Sequence, residues 1–307
     1  AKRREGFISV ITGFAFTGIA LGVATLIIVM SVMNGFRHEL LSRILGINGH
    51  IGIMAVAGVP FNNYPEAVRE IGTFEHVQTV IPMIERQLLV SSGTTAEGAM
   101  VRGIAKEDLL KKKILKDSLI HVDVDDFSGN NVIVGARLAQ KMGLIPGDEI
   151  TLISPNGKVT AFGTVPRMKS YKIIGTFEVG MYEYDSNFIF MPLAAAQTYF
   201  GMKGAVSNID VTLDNDAHLR EVRKAIEESV GAGAYIYDWK QTNSAFFNAI
   251  AVERNVMFII LTLIILVAAF NIITGLIMLV KDKGRDIAVL RTMGATKGMI
   301  MRIFFMD

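Results

Sequence analysis

The sequence predicts an α+β membrane protein in which long transmembrane helices flank a two-lobed extramembrane domain. Three observations support this class. Half of the 307 residues (51%) are apolar and only 20% are charged, which is more apolar than an ordinary soluble domain. Two stretches, 31 residues from Gly6 to Phe36 and 26 residues from Asn255 to Val280, contain no charged residue. The 218 residues between Arg37 and Arg254 alternate short strand patterns with helix patterns.

Composition and motifs exclude several function classes. The net charge of +2 gives no reason to expect nucleic acid, and the absence of cysteine excludes disulfides, a thiol nucleophile and Cys-ligated zinc. There is no Gly-x4-Gly-Lys-Ser/Thr phosphate cradle and no Gly-x-Ser-x-Gly elbow. The five histidines have no metal-ligand spacing: His38, His50, His76, His121 and His218. We therefore expect no catalytic residue, no metal and no cofactor on this chain.

Both uncharged stretches are long enough to cross a bilayer, which takes about 20 apolar residues. They predict a first transmembrane helix with its extension over residues 1–48 and a second over residues 241–281. A signal peptide has a shorter apolar region of about 7–15 residues, and buried core helices are the other alternative. Gly18 and Gly22 form a small-xxx-small pattern that predicts close packing against a second helix.

The distribution of cations predicts the orientation. Lys2, Arg3 and Arg4 precede the first span, and six more cations follow the second, so both flanks are expected in the cytoplasm. Residues 37–254 then lie on the opposite side. They have a net charge of −3 against +5 for the flanks, which agrees with this orientation.

The extramembrane pattern predicts an α+β lobe from residues 49–105 and 203–240, with a β-rich lobe inserted at 106–202. In the first lobe the expected elements are strands at 49–55, 85–92, 98–104, 206–213 and 235–239 and helices at 64–71 and 217–230. In the inserted lobe they are strands at 131–134, 149–153, 169–178 and 186–191 and a helix at 136–142. The run Lys111–Lys113 is expected to be a solvated helix face, and residues 123–126 a solvated acidic turn rather than a calcium loop.

Residues 154–168 are predicted to form a loop between two strands. The loop has two prolines and two glycines around Val159, Phe162 and Val165. These apolar side chains either dock on the protein itself or form a protruding contact for a partner.

Residues 282–297 follow the second span. From Arg285 to Gly294 they can form a short amphipathic helix with Ile287, Leu290 and Met293 on one face. A stop-transfer patch that meets lipid headgroups is the alternative. Residues 298–307 are apolar apart from Arg302 and resemble the start of a truncated third transmembrane helix.

Several segments resemble the permeases of the lipoprotein-releasing (Lol) transporters. Residues 1–11 and 31–40 are similar to the first membrane helix of that family, and residues 269–275 and 286–295 are similar to its second helix and coupling element. Residues 134–143, with Pro146-Gly-Asp148, are shared with the wider group of macrolide-exporter-like (type VII) permeases.

The resemblance implies one half of a multi-pass protein of the bacterial inner membrane, with four membrane helices and a large periplasmic domain. Such a permease extracts lipoproteins and passes them to a carrier by mechanotransmission. The implied partners are a cytoplasmic ABC ATPase dimer (LolD-like) that holds ATP and Mg, a second permease subunit (identical or LolE-like), a periplasmic carrier (LolA-like), a triacylated lipoprotein and membrane lipid. The alternatives are a related permease for drug or toxin efflux or for regulation of a cell-wall hydrolase, and a membrane-anchored sensor without transport.

The resemblance also implies roles for particular residues. A carrier-binding hook within 154–168 would use Val159, Ala161, Phe162, Val165 and Pro166; Ala161 stands where a proline is often found in the family. The ATPase-coupling set would be Arg285, Asp286, Ile287, Leu290, Arg291, Met293 and Gly294. An acyl-chain cavity would be lined by Ile27, Met30, Met33, Val256, Met257 and Ile260.

Overall fold

The computed structural model describes residues 2–55, 60–93, 95–160, 163–242 and 244–306. The chain forms two compact units. Ala1–Arg37 and Ala245–Asp307 make up the helical unit, and His38–Ser244 make up the sheet unit.

The described residues form long helices near the start and the end of the chain and shorter helices between several of the strands. They are α1 (Lys2–Asn48), α2 (Tyr64–Ile71), α3 (Lys106–Lys111), α4 (Lys113–Ser118), α5 (Ala136–Met142), α6 (Tyr182–Asn187), α7 (Leu193–Phe200), α8 (Leu219–Val230), α9 (Trp239–Thr242), α10 (Ser244–Asp282), α11 (Gly284–Thr292) and α12 (Lys297–Met306).

The strands of the described residues all belong to the sheet unit. They are β1 (Ile51–Ala55), β2 (Val77–Ser91), β3 (Ala96–Ile104), β4 (Leu119–Ile120), β5 (Asn131–Gly135), β6 (Glu149–Thr160), β7 (Gly163–Phe177), β8 (Phe188–Pro192), β9 (Asn208–Leu213) and β10 (Ala234–Asp238).

Among the residues that the structure describes, two helices are long and apolar enough to cross a membrane. The candidate spans are Phe16–Asn48 in α1 and Asn255–Gly275 in α10. In each helix, no residue of the most apolar segment is buried inside the protein. The alternative of buried core helices is therefore wrong for both. The short helix predicted from Arg285 to Gly294 is present as α11, but it ends at Thr292, so Met293 and Gly294 lie just beyond its last turn.

The strands pair in the order β10-β1-β9-β2-β3-β8-β5-β7-β4, and β6 pairs with both β2 and β7. The additional pairing closes a ring of six strands, β2-β3-β8-β5-β7-β6. Closure matters because it leaves no unpaired edge among those strands.

The ring crosses the predicted boundary between the two lobes. β2 has 15 residues and pairs with β9 through its first half and with β6 through its last three residues. Because β2 and β3 are shared by both predicted lobes, residues 106–202 do not close a sheet of their own.

Local sequence signals explain several element boundaries. α2 has Pro65 in its first turn, where proline is favourable because the N–H that it lacks would have no acceptor within the helix. α5 and α7 end at Gly143 and Gly201, which adopt left-handed φ values of 66° and 71° that glycine tolerates best. α2 and α5 have the predicted bounds. β2 begins eight residues before its predicted start, and Pro82 lies inside it.

Candidate functional site: the end of helix α1 and the β6–β7 arm

The last turn of α1 is held by two buried cations. The Ile47 carbonyl accepts hydrogen bonds from Arg102 Nη1 at 3.0 Å and from Lys112 Nζ at 2.7 Å. Arg102 Nη2 also donates to Asn48 Oδ1 at 3.0 Å. The last carbonyls of a helix have no partner within the helix and carry partial negative charge, so cations are the groups that stabilise them.

Each cation has its own carboxylate. Arg102 Nε donates to Glu85 Oε2 at 2.7 Å, and Lys112 Nζ lies 3.2 Å from Asp210 Oδ2. Only 4% of either cationic side chain is exposed. Burial lowers the pKa of Lys112 and raises the pKa of Asp210, because both charged forms lose their hydration. The charged forms of Lys112 and Asp210 are therefore stabilised by each other and by the neighbouring charged groups. We call Arg102, Lys112, Glu85 and Asp210 the α1 clamp.

The clamp corrects the prediction for Lys111–Lys113. Lys111 and Lys113 are exposed, but Lys112 is buried between α3 and α4 and points at the end of α1. No local pattern indicates this burial, because the partner Asp210 follows 98 residues later.

Further contacts fix the end of α1. The His50 N–H donates to the Val211 carbonyl at 2.8 Å, and the Asn48 amide donates to the Tyr184 hydroxyl. Arg43, one turn earlier, donates to the Val179 carbonyl. A Cβ at Gly46 would lie 2.2 Å from Ile114 Cδ1, so α1 approaches α4 closely.

The segment that leads to α10 lies beside the segment that leaves α1. β1 and β10 pair antiparallel from Ile51↔Asp238 to Ala55↔Ala234. The Trp239 N–H donates to the His50 carbonyl at 3.1 Å, which continues the pairing by one residue. A cavity of about 180 Å³ adjoins this junction, with Glu85, Arg102 and Asp210 of the clamp in its wall. The segment that follows α1 and the segment that precedes α10 are thus neighbours in the sheet.

The predicted loop at 154–168 is instead a β-hairpin arm. β6 and β7 pair from Glu149↔Lys172 to Ser154↔Arg167 and again from Lys158↔Val165 to Thr160↔Gly163, with an irregularity between Ser154 and Lys158. Of the hook residues, Val165 and Pro166 are exposed. Ala161 and Phe162 lie outside the described residues, as does the side chain of Val159.

The base of the arm is locked by Tyr199 of α7. Its hydroxyl lies 2.9 Å from the Leu152 carbonyl of β6 and 2.9 Å from the Arg167 carbonyl of β7, and only 3% of the residue is exposed. The Arg167 guanidinium donates in return to the Tyr199 carbonyl. One tyrosine therefore ties both strands of the arm to the body of the sheet unit.

The other predicted site residues lie in the helical unit. Those of the acyl-chain set are partly or largely exposed on α1 and α10, and Leu290 and Met293 are exposed at α11. A Cβ at Gly22 would lie 3.9 Å from Ile264 Cγ2, whereas at Gly18 it would meet no atom of the described residues within 4 Å. The roles of all these residues stay predictions.

Comparison with known proteins supplies the family. A family model described as the MacB-like periplasmic core domain matches residues 12–229, and one described as the FtsX-like permease C-terminal matches residues 258–307. The chain is 32% identical to the lipoprotein-releasing system transmembrane protein LolC of Neisseria meningitidis and 33% identical to LolC of Xylella fastidiosa. Both alignments cover 100% of this chain and 74% of the relative, so the chain spans about three quarters of these relatives rather than the expected half. LolE of Haemophilus influenzae is 27% identical over 99% of this chain and 74% of its own length.

These matches confirm the resemblance found in the sequence and the class of an inner-membrane permease with a periplasmic domain. The α1 clamp and Tyr199 were not predicted, since nothing in the local sequence marks them. The chain belongs to the family of lipoprotein-releasing system transmembrane proteins, within the wider group of permeases that have a MacB-like periplasmic core domain and an FtsX-like permease domain.

Proposed function

We propose that this chain is a non-catalytic permease subunit that extracts lipoproteins from the inner membrane and passes them to a soluble periplasmic carrier. ATP hydrolysis on a separate ATPase drives the cycle. The observation that carries the proposal is the β6–β7 arm with its locked base, in a chain that aligns over its whole length with LolC relatives.

The energetics of the cargo require a docked acceptor. Each buried CH2 of an acyl chain is worth about 0.8 kcal/mol, so several long chains cannot leave the bilayer for water. The carrier must be in place before the acyl chains are released. The arm is suited to this task because it is long, fixed at its base and has an exposed apolar residue, Val165, near its tip.

The α1 clamp gives a route for mechanical coupling. The Ile47 carbonyl of the last turn is bonded directly to Arg102 on β3 and to Lys112. Through these two cations it is linked to Glu85 on β2 and Asp210 on β9, which are strands of the same sheet. A displacement of that turn would pull on all three strands rather than bend a flexible joint. In the proposed cycle α11 receives the motion of the ATPase in the cytoplasm, and α1 and α10 relay it across the membrane.

The remaining assignments complete the scheme. Both flanks of the membrane helices lie in the cytoplasm, as the charge distribution favours. The acyl chains enter between the outer halves of α1 and α10, near Met30 and Val256. A second permease subunit, identical or LolE-like, forms the other side of that cavity.

A photocrosslinker on the arm tests the carrier contact. The full-length protein is prepared in membranes with its partners, with the probe at Val165 or Phe162. Ile145 is the matched control, because it is an apolar side chain of similar exposure (66% against 57% for Val165) outside the arm. We expect a crosslink to a soluble lipoprotein carrier from both arm positions and none from Ile145. A crosslink to an outer-membrane channel, or no carrier crosslink from a functional protein, would refute the proposal and favour an efflux permease.

A further inference from the structure

Two histidines and one aspartate meet at one end of the sheet unit. His76 precedes β2, Asp214 follows β9, and His218 stands just before α8. His76 Nδ1 lies 2.9 Å from Asp214 Oδ2, and the rings of His76 and His218 stack with centroids 3.4 Å apart and planes 5° apart. One potential ligand atom from each of the three residues lies within 4.8 Å of the other two.

We propose that His76, His218 and Asp214 bind one divalent first-row transition-metal ion of the Zn²⁺ class. Two imidazole nitrogens and one carboxylate oxygen suit zinc, nickel or copper, whereas calcium and magnesium prefer sites made of oxygen ligands. Three protein ligands leave a further coordination position for water or for an additional side chain.

Binding requires one imidazole to rotate out of the stack, because stacked rings direct their nitrogen lone pairs along parallel planes. Zinc bonds of about 2.0–2.1 Å place neighbouring ligand atoms of a tetrahedral site roughly 3.4 Å apart. The His76–Asp214 distance of 2.9 Å is already short enough, and the widest separation, at most 4.8 Å, must close by roughly 1.4 Å or less. The side chains of His218 and Asp214 are 35% and 44% exposed, so they are free to rotate inward and an ion can reach them.

Two further observations favour a cation at this place. More carboxylates surround the imidazoles: Glu75 Oε1 lies 3.9 Å from His76 Nε2, and Glu221 Oε2 lies 3.8 Å from His218 Nδ1. His76 also adopts a left-handed φ of 70°, a conformation that non-glycine residues adopt at a cost and that is common at functional sites. The Asp214 N–H donates to the His76 carbonyl at 3.0 Å, so the turn holds both ligands together.

A bound ion would link three separate segments. Val77 and Leu213, which directly follow His76 and directly precede Asp214, are paired between β2 and β9. The ion would close this end of the pair and attach the start of α8 to it. The expected role is therefore to stabilise the sheet unit.

The test is metal binding to the full chain in detergent, without an affinity tag and stripped with a chelator. Zn²⁺ affinity is measured by competition with a chromophoric chelator, and the visible spectrum of bound Co²⁺ is recorded as a second signal. The variants are His76→Asn, Asp214→Asn and His218→Ala; asparagine tolerates the left-handed backbone at residue 76. His121→Asn is the matched control, because His121 also has a left-handed φ (55°) and is exposed away from the cluster.

We expect one Zn²⁺ per chain for the wild type and the His121 control, and affinities at least about tenfold lower for each ligand variant. Zn²⁺ should raise the unfolding midpoint of the wild type and of the control but not that of His76→Asn. The fluorescence of Trp239 shows whether each variant is folded. No stoichiometric binding, or equal affinity in folded ligand variants, would overturn the proposal.

Discussion

Replacing Lys112 by methionine should destabilise the sheet unit far more than the same change at its neighbour Lys111. Lys112→Met leaves the Asp210 carboxylate, 7% exposed, without its ion pair and removes one of two donors to the Ile47 carbonyl. Removing one partner of a buried pair costs about 3–5 kcal/mol. Since Arg102 still donates to Ile47, we expect the lower end of that range, roughly 3 kcal/mol. This is a large part of the roughly 5–15 kcal/mol that stabilise a typical domain.

Lys111→Met is the matched control. Its side chain is 53% exposed, so solvent screens its pair with the largely buried Asp108 (12% exposed), and we expect a loss of only about 1 kcal/mol. The assay is urea unfolding of the full chain in detergent, followed by the fluorescence of Trp239. This residue is the sole tryptophan and is 4% exposed in the sheet unit.

The double variant Lys112→Met/Asp210→Asn separates the lost ion pair from poor packing. Without the stranded carboxylate we expect recovery of about 1 kcal/mol or more. Equal losses in Lys112→Met and Lys111→Met, or no recovery in the double variant, would refute the reasoning about the clamp.

The remaining predictions concern the arm, the packing of the ring and the coupling helix. Tyr199→Phe removes the hydroxyl that ties β6 and β7 to α7, so hydrogen exchange in the arm should become faster while the sheet unit stays folded. Gly135→Ala should lower the unfolding midpoint in urea by more than Gly98→Ala, because its Cβ would lie 2.3 Å from the Asp185 carbonyl oxygen whereas Gly98 has open space. Leu290→Asp on α11 should reduce copurification of the ATPase; unchanged copurification would contradict the proposed coupling role.

The predictable part of the fold is the part that has a local sequence signal. Some elements can be predicted because the residues that determine them lie within or next to the element. These are the two uncharged stretches, the start of α2 at Pro65 and the end of α5 at Gly143. The first half of β2 was missed because Pro82 normally argues against a central strand. The arm was predicted as a loop for a similar reason, since its prolines and glycines are turn formers.

The site depends on residues far apart in sequence. Lys112 meets Asp210 across 98 positions, and His76 meets Asp214 across 138. The pairing of β2 with β9 brings His76 to Asp214, and the placement of Lys112 between α3 and α4 brings it to Asp210 on β9. Neither contact has a signal in the local sequence. For the same reason the histidines showed no ligand spacing in the sequence.

The most direct test of the account is ATP-driven transfer of a lipoprotein from proteoliposomes to a soluble carrier. The full-length protein is reconstituted with its ATPase, its second permease subunit and a triacylated lipoprotein, and carrier-bound lipoprotein is measured for the wild type and for Val165→Asp. We predict that transfer needs both ATP and carrier, and that Val165→Asp lowers transfer while ATP hydrolysis continues. Undiminished transfer by Val165→Asp, or ATP hydrolysis by the wild-type complex without any lipoprotein release, would contradict the account.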